Sequence, residues 1–180
     1  MGFADPLANV RQLDLSPGST VADFGAGAGA YTLALAEVVG RSGRVFAVEI
    51  QKELLARLER EVENRKIGNV DFIWGDLETV GGSKLPDASA DFILLSNILF
   101  QLSGLYPVSL EAKRVLKPGG RVGVIEWAPS AGGSFAGLGP KPEQIVDSAT
   151  VKQVFGEAEF HLVKEFPAGD YHYGLIFQKA

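Results

Sequence analysis

The stretch that decides the fold is residues 21–29, which consist of Val-Ala-Asp-Phe-Gly-Ala-Gly-Ala-Gly. An apolar run over residues 20–24 predicts a strand, and the apolar spacing over residues 31–39 predicts a helix. Glycines at such a junction let a ligand approach the backbone closely, beside the free N–H groups that begin the helix. The stretch therefore indicates a strand, a ligand-binding turn and a helix, although a tight turn that binds nothing has the same pattern.

The remainder of the chain continues this alternation of strands and helices. Apolar runs predict six more strands, over residues 44–48, 70–74, 91–95, 121–125, 160–165 and 172–178. Further helices are predicted after Asp5-Pro6, over residues 52–64 and 105–116, and from a cap at Ser148, with a loop over residues 128–142. Helical connections imply parallel strands covered on both faces, whereas the short Pro-Gly loop near residue 168 predicts a final antiparallel hairpin. We therefore expect one α/β domain over residues 1–180.

Composition and charge narrow the class of protein. Hydrophobic residues make up 46% of the 180 residues and charged residues 22%, which is typical of a soluble globular domain. The formal net charge is -5, so we expect no nucleic-acid partner. Because the chain has no cysteine and two histidines, we expect no metal site.

Two segments bear on the location of the protein. Residues 1–14 contain acidic side chains and no apolar segment, unlike a secretory signal. Residues 92–110 carry no charge over a length that could span a membrane, but they include Gly104, Pro107 and several polar side chains. We expect a buried strand, a loop and the start of a helix there, and hence a cytoplasmic protein without a membrane span.

Acidic residues follow the second and third predicted strands. Glu49 ends strand two, and Gly75-Asp76-Leu77 comes after strand three. The carboxyl ends of parallel strands form the edge where α/β proteins bind ligands, so these acids and the glycine turn should meet. Gly25, Gly27 and Ala30 also satisfy the dinucleotide fingerprint, and Glu49 would suit the ribose of either NAD or S-adenosylmethionine. The pattern therefore indicates a nucleoside-type ligand and leaves its identity open.

Four motifs, in this order, resemble those of class I, Rossmann-like methyltransferases that use S-adenosylmethionine. They cover residues 23–29, 45–49, 75–77 and the Leu-Lys-Pro-Gly-Gly-Arg-Val segment of residues 116–122. The whole pattern most resembles the small methyltransferases related to quinone-biosynthesis C-methyltransferases, and residues 3–6 are similar to their first segment. The resemblance implies a three-layer fold with a seven-stranded sheet of order 3-2-1-4-5-7-6, in which strand seven is antiparallel.

The same resemblance implies S-adenosylmethionine as cofactor and S-adenosylhomocysteine as product. The glycine loop would contact the methionine part, Glu49 the ribose, and Asp76 and Leu77 the adenine. The implied cofactor-binding residues are Asp23, Gly25, Ala26, Gly27, Glu49, Ile50, Gly75, Asp76, Leu77, Ser96 and Asn97. Asn97 is followed by Ile98-Leu99, not by the Pro-Pro-aromatic signature of enzymes that methylate DNA bases or glutamine. The absence of cysteine disfavours arsenite methylation.

The topology predicts an acceptor pocket beyond the methyl group, formed by the segments after strands four and five and by the final hairpin. The candidate acceptor-lining residues are Gln101, Glu126, Trp127, Tyr171, His172 and Tyr173. Asn97, His172 and Tyr173 are the candidates for catalysis, with His172 as the better placed base. A surface histidine at the strand edge remains an alternative for His172, and core packing for the aromatic residues.

The sequence therefore predicts a methyltransferase that acts on a small acceptor, or on one bound in a pocket that a second copy of the chain completes as a homodimer. A non-catalytic module that binds S-adenosylmethionine or S-adenosylhomocysteine remains an alternative. So does an NAD(P)-binding Rossmann enzyme, although we find neither a Tyr-x-x-x-Lys pattern nor a substrate domain.

Overall fold

A computed structural model describes residues 4–129 and 139–180 of the chain. Its seven strands form one sheet of order β3-β2-β1-β4-β5-β7-β6, in which β7 runs antiparallel to both of its neighbours. This topology confirms the predicted one. The strands are β1 (Thr20–Phe24), β2 (Arg44–Glu49), β3 (Val70–Trp74), β4 (Ala90–Ser96), β5 (Leu116–Trp127), β6 (Phe160–Pro167) and β7 (His172–Lys179).

Helices cover both faces of the sheet, which gives the predicted three layers. The five α-helices are α1 (Pro6–Arg11), α2 (Ala30–Val39), α3 (Lys52–Asn64), α4 (Leu105–Val115) and α5 (Ser148–Glu157). Strand β4 shows why the sheet needs two covers, because Phe92 packs with the cluster of α1 and α2 while Ile93 packs with that of α4 and α5. Side chains of successive strand residues point to opposite faces, so a wholly apolar strand is buried on both.

Strand β5 differs from its prediction. We expected a turn over residues 117–120 and a strand from residue 121, but Leu116 already pairs with Ala90 of β4. The next pair in the ladder joins Arg121 to Phe92, so residues 117–120 bulge out of the strand. The predicted turn is therefore an interruption within β5.

The second half of the chain brings further corrections. Helix α5 is capped by Asp147, whose side chain accepts a hydrogen bond from the Thr150 N–H at 2.7 Å, and not by Ser148. An aspartate carboxylate reaches the free N–H groups as a serine hydroxyl would, and the sequence Asp-Ser offers both at adjacent positions. Part of the predicted loop, residues 130–138, lies outside the described residues, and a short 3-10 helix, Pro142–Gln144, follows.

The uncharged stretch of residues 92–110 forms most of β4 and the start of α4, as predicted, with a 3-10 helix (Leu99–Gln101) within the predicted loop. Within residues 4–129 and 139–180, no helix combines the length and the apolar character needed to cross a membrane.

The strand directions determine what meets at one edge of the sheet. β1, β2, β3 and β4 run parallel, and β5 runs parallel to β4, so their carboxyl ends lie together. Because β7 is antiparallel, its first residue lies at that same edge, where His172 pairs in register with Trp127. The edge is therefore the place where the segments predicted to bind cofactor and acceptor come together.

Candidate active site

A cavity of about 460 Å³ opens at the carboxyl edge of the sheet, within the size range of small-ligand sites. It is lined by segments that follow β1, β2, β3 and β4, and by the junction of β5 with β7. The sequence-predicted residues that the structure brings together in its lining are Gly25, Ala26, Gly27, Glu49, Ile50, Gly75, Asp76, Leu77, Ser96, Asn97, Gln101, Trp127 and His172.

The glycine loop between β1 and α2 forms one wall of the cavity. The N–H groups of Gly25 and Ala26 both donate to the Val48 carbonyl of β2, at 2.9 and 3.0 Å. At Gly27 the backbone has a φ of 53°, and a Cβ added there would meet no described atom nearer than 3.9 Å. The loop is therefore held against β2 while its surface at Gly27 stays open for a ligand.

Glu49 joins the end of β2 to this loop. Its side chain is buried, and its two carboxylate oxygens accept hydrogen bonds from the N–H groups of Gly27 and Gln51, both at 2.8 Å. A carboxylate offers about four acceptor positions, so about two remain for a ligand. Glu49 thus combines a structural contact with the capacity to accept hydrogen bonds from a diol.

Asp23 lies beneath the loop and outside the cavity lining. It is fully buried, and the Thr32 hydroxyl of α2 donates to one of its oxygens at 2.6 Å. The pKa of this carboxyl is raised overall to about 6. Burial raises the pKa most, the hydrogen bond from Thr32 lowers it, and the negative charge of the neighbouring Glu49 raises it further. Its other oxygen has no partner among the described residues. Asp23 therefore contacts helix α2 from below the loop.

The segment after β3 forms the opposite wall. One Asp76 oxygen accepts from the Glu78 N–H at 3.0 Å, and the Asp76 N–H donates to the Gly82 carbonyl at 3.0 Å. Leu77 is buried beside it. The Thr79 hydroxyl donates to the other Asp76 oxygen at 3.5 Å, so the carboxylate is oriented by its own turn. Asp76 lines the cavity and keeps further acceptor positions.

A buried glutamate that the sequence did not reveal fixes this segment. Glu111 of α4 is fully buried and accepts hydrogen bonds from the N–H groups of Gly81 and Ser83, at 2.7 and 3.1 Å. Burial alone would raise its pKa, but the hydrogen bonds from Arg114, Ser83 and Gly81 lower the pKa to about 2. The sequence feature that could have revealed Glu111 is its position as a charged residue on the apolar face of α4, between Val108 and Ala112.

At the other end of the cavity the rings of Trp127 and His172 lie 4.3 Å apart, tilted by 40°. His172 is only 6% exposed, and neither of its ring nitrogens has a hydrogen-bond partner among the described residues. Burial lowers its pKa, which favours the neutral imidazole. The alternative of a surface histidine at the strand edge is therefore wrong.

Asn97 follows β4 and lies between the two ends. Its φ of 53° is unusual for a residue other than glycine. The Asn97 N–H donates a hydrogen bond to the Ile125 carbonyl at 2.9 Å. The exposed Gln101 donates its side-chain N–H to the Asn97 carbonyl at 3.0 Å. The side-chain oxygen of Asn97 is buried without a partner among the described residues.

Three of the predicted acceptor residues lie outside the cavity lining. Tyr173 packs against the core of α4 and α5, and its hydroxyl donates to the Val146 carbonyl at 2.7 Å, because alternation along β7 turns it away from the face of His172. Glu126 is buried beneath the segment after β4 and accepts from the Leu99 and Trp127 N–H groups, both at 2.9 Å. The side chain of Tyr171 is half-buried beyond the edge of β7.

The structure adds lining residues that the sequence did not indicate. Tyr31 opens helix α2 beside the glycine loop, and its hydroxyl accepts a hydrogen bond from the Asn9 side chain of α1 at 3.0 Å. Ala4 and Pro6, at the start of α1, line the cavity beside it. The position of Tyr31 directly after the glycine loop could have indicated a place in the cavity lining. Its spacing with the apolar residues of α2 instead favoured a core position. Among the described residues, no group of three or more His, Asp or Glu side chains could hold a metal ion.

Comparison with known proteins assigns the family. A methyltransferase domain family matches residues 15–168, which is most of the chain. The chain belongs to the class I methyltransferases. S-adenosylmethionine is the cofactor of this family. Within the family the chain is of the type that resembles quinone methyltransferases, and demethylmenaquinone methyltransferases are among its relatives.

Two curated relatives illustrate the similarity. A demethylmenaquinone methyltransferase of Geobacillus is 31% identical over 117 residues, which are 65% of this chain and 49% of the relative. An arsenite methyltransferase of Aquipseudomonas alcaligenes is 37% identical over 113 residues, which are 60% of this chain and 32% of the relative. The chain therefore spans about half, or less, of the length of these curated relatives.

Solved structures agree with the fold. A SAM-dependent methyltransferase from Aquifex aeolicus superposes with a TM-score of 0.87 at 27% identity, covering 98% of this chain and 90% of that chain. The cyclase SpnF superposes with a TM-score of 0.78 at 19% identity, covering 97% of this chain and 79% of that chain, a likeness of fold alone.

Proposed function

We propose that residues 1–180 form one methyltransferase domain that transfers the methyl group of S-adenosylmethionine to a small-molecule acceptor. The observation that carries the proposal is the extent of the cavity. It runs from the glycine loop, Glu49 and Asp76 to Trp127 and His172, which lie across the edge of the sheet. A cavity with room beyond the cofactor-binding segments is what transfer to a second molecule requires.

The residues of one end fit the cofactor. Glu49 has acceptor positions left for the two ribose hydroxyls, and Asp76 has them for the exocyclic amine of adenine, with Leu77 against the ring. The open surface at Gly27 allows the methionine part to lie against the loop. Ser96 and Asn97, which line the cavity next to the loop, would face the methionine part and its sulfur.

S-adenosylmethionine supplies a methyl group already activated by a sulfonium leaving group. The protein must therefore hold donor and acceptor in line and exclude water, and positioning of this kind can lower a barrier by about 7–11 kcal/mol. Rigid segments serve this purpose. The glycine loop is bonded to β2, and the segment after β4 is bonded to β5 through Ile125 and Glu126.

The acceptor is proposed only as a small molecule. The named acceptors of the relatives include demethylmenaquinone and arsenite. The chain has no cysteine, which argues against arsenite if thiolates are needed to bind arsenic. A fold shared with a cyclase does not by itself imply methyl transfer. The proposal therefore rests on the site.

Calorimetry tests the proposal and separates it from the two alternatives. We expect S-adenosylmethionine and S-adenosylhomocysteine to bind far more tightly than NAD, because the chain belongs to a methyltransferase family whose cofactor is S-adenosylmethionine. Tighter binding of NAD would overturn the proposal. An S-adenosylmethionine complex that methylates none of a broad panel of hydroxyl, amine and carbon acceptors would favour the non-catalytic binding module.

A further inference from the structure

Glu111 of α4 is a fully buried carboxylate that does not line the cavity. Arg114, one turn later on the same helix, donates two side-chain N–H bonds to it, at 2.9 and 2.7 Å. The Gly81 N–H, the Ser83 N–H and the Ser83 hydroxyl donate to the same two oxygens. A carboxylate offers about four acceptor positions, so Glu111 has none left for a ligand. Any role in binding must therefore act through the segment that Glu111 holds.

This segment after β3, residues 75–83, depends on polar contacts for its position. Thr79, Val80 and Gly81 are exposed at its tip, so packing in the core does not hold them. An apolar residue in place of a buried ion pair is often as stable, so stability alone does not require a charge on this face of α4. What Glu111 adds is a pair of acceptor oxygens for the N–H groups of the segment.

One backbone contact carries the position of residues 81–83 to Asp76. Gly82 lies between the two residues bound to Glu111, and its carbonyl accepts a hydrogen bond from the Asp76 N–H at 3.0 Å. The two backbones also pack tightly, because a Cβ added to Gly82 would overlap the Asp76 carbonyl oxygen. Displacement of residues 81–83 therefore displaces Asp76, which lines the cavity.

We propose that the Glu111–Arg114 pair positions Asp76 and thereby sets how strongly the site prefers adenine to a purine without the exocyclic amine. The inference rests on the proposed function, in which Asp76 accepts a hydrogen bond from that amine. Glu111 is a positioning residue, because it acts through Gly82 and Asp76 and does not touch the ligand. A hydrogen bond weakens steeply as its distance and angle depart from the optimum, so a carboxylate held in place discriminates better than a displaced one.

Calorimetry on the full chain measures this preference. The two ligands are S-adenosylhomocysteine and its analogue whose purine lacks the amine. We expect wild type to prefer the first by about 10- to 150-fold, the range for a hydrogen bond to a charged group. Glu111→Gln should reduce the preference by about 5-fold or more, because the amide keeps one acceptor oxygen and places an NH₂ group against N–H donors.

A double substitution tests whether the effect passes through Asp76. Asp76→Ala alone should remove most of the preference, because it removes the group that accepts the amine hydrogen bond. Adding Glu111→Gln to Asp76→Ala should then leave the affinity for S-adenosylhomocysteine unchanged, because two residues that act in one chain of contacts are not additive. A further loss equal to that of the single Glu111→Gln variant would mean that Glu111 acts by another route.

Three further variants separate positioning from a general loss of stability. Val151→Ala removes core packing in α5, so it should lower the melting temperature and keep the wild-type preference. Gly82→Ala displaces the Asp76 backbone without changing Glu111, so it should lose the preference even if Glu111→Gln does not fold. Gly68→Ala is its matched control, because no described atom lies within 4 Å of the added Cβ.

Amide hydrogen exchange of the ligand-free chain provides a readout that needs no cofactor. We expect the Asp76, Gly81 and Ser83 amides to exchange faster in Glu111→Gln than in wild type, since their hydrogen bonds are weakened. The amides of β1 should exchange as in wild type, which reports an intact fold.

A wild-type preference in a folded Glu111→Gln protein would overturn the inference. So would a wild-type preference in Gly82→Ala, an equal loss of preference in Val151→Ala, or unchanged exchange of the Asp76 amide. Failure of the proposed function is recognised separately, because wild type would then bind neither ligand. The adenine preference would fall with it, and the exchange experiment would still decide whether Glu111 positions Asp76.

Discussion

The two ends of the cavity differ in how their polar groups are satisfied. At the cofactor end, Glu49 accepts hydrogen bonds from the N–H groups of Gly27 and Gln51, and Asp76 accepts one from the N–H group of Glu78. At the proposed acceptor end, which Trp127 and His172 line, neither ring nitrogen of His172 has a partner among the described residues. The polar groups of the first end are therefore oriented by hydrogen bonds, whereas the His172 ring is held by burial and by its contact with Trp127. Substitutions at the two ends should accordingly fail in different ways.

The largest expected effect is at the glycine loop. We expect Gly27→Val to abolish binding of S-adenosylhomocysteine, because the side chain would project into the cavity and strain a backbone with φ of 53°. Gly40→Val is the matched control. Gly40 also has a positive φ, of 69°, and open space around its added Cβ among the described residues, but it lies outside this cavity.

Calorimetry on both variants separates the effect of backbone strain from the effect of a side chain that fills the cavity. Circular dichroism checks that both variants are folded. The expected result is a loss of binding in Gly27→Val and wild-type affinity in Gly40→Val. Wild-type affinity in both variants would show that the loop does not touch the ligand.

The difference between the two ends also explains what the sequence could predict. The glycine loop, Glu49 and Asp76 follow parallel strands directly, so topology alone brings them to one edge, and the structure places them in one cavity. In β7 successive side chains face opposite sides, and only the pairing of Trp127 with His172 determines which one faces the cavity. Sequence reasoning therefore grouped Tyr173 with His172, although Tyr173 points into the core.

Substitutions of the aromatic residues Tyr173 and Trp127 should affect stability and methyl transfer differently, because the two rings face opposite sides of the sheet. Tyr173→Ala removes a core ring, so we expect a loss of about 3–5 kcal/mol in the free energy of unfolding, with activity per bound cofactor retained. Trp127→Ala should lower methyl transfer with a smaller loss of stability. Tyr173→Phe keeps the ring and loses only the hydrogen bond to Val146.

Thermal unfolding and a transfer assay on the three variants measure this division. A Tyr173→Ala protein that melts like wild type but transfers slowly would return Tyr173 to the acceptor site and reverse the assignment.

Beneath the acceptor end, Glu126 should make stability depend on pH. Burial raises its pKa from 4.5 to about 7, against the hydrogen bonds it accepts from Trp127 and Leu99. Because the folded pKa is the higher one, its contribution is complete below pH 4.5 and is lost as pH rises through 7. The shift corresponds to about 3 kcal/mol.

We therefore expect wild type to lose stability relative to Glu126→Gln between pH 5 and 8, by several degrees in melting temperature. Glu143→Gln, at an exposed position, is the control and should follow wild type. A constant difference between wild type and Glu126→Gln across this range would contradict the raised pKa.

The smallest expected effect is at Glu49, because part of the site remains when it is removed. We expect Glu49→Ala to weaken binding of S-adenosylhomocysteine by about 10- to 150-fold, since hydrogen bonds to a charged group are worth about 1.5–3 kcal/mol. Glu53 is an exposed glutamate in the first turn of α3, shortly after Glu49 in the sequence, so Glu53→Ala is the matched control. Unchanged affinity in a folded Glu49→Ala protein would make Glu49 a structural acid only.

The crystal structure of the chain with S-adenosylhomocysteine tests the central claim most directly. We predict that the ribose hydroxyls bond to Glu49, that the adenine amine lies at Asp76, and that the sulfur faces Asn97 with open space towards Trp127 and His172. A ligand that lies outside this cavity would contradict the account. So would one that enters it with the adenine against Trp127 and the ribose away from Glu49.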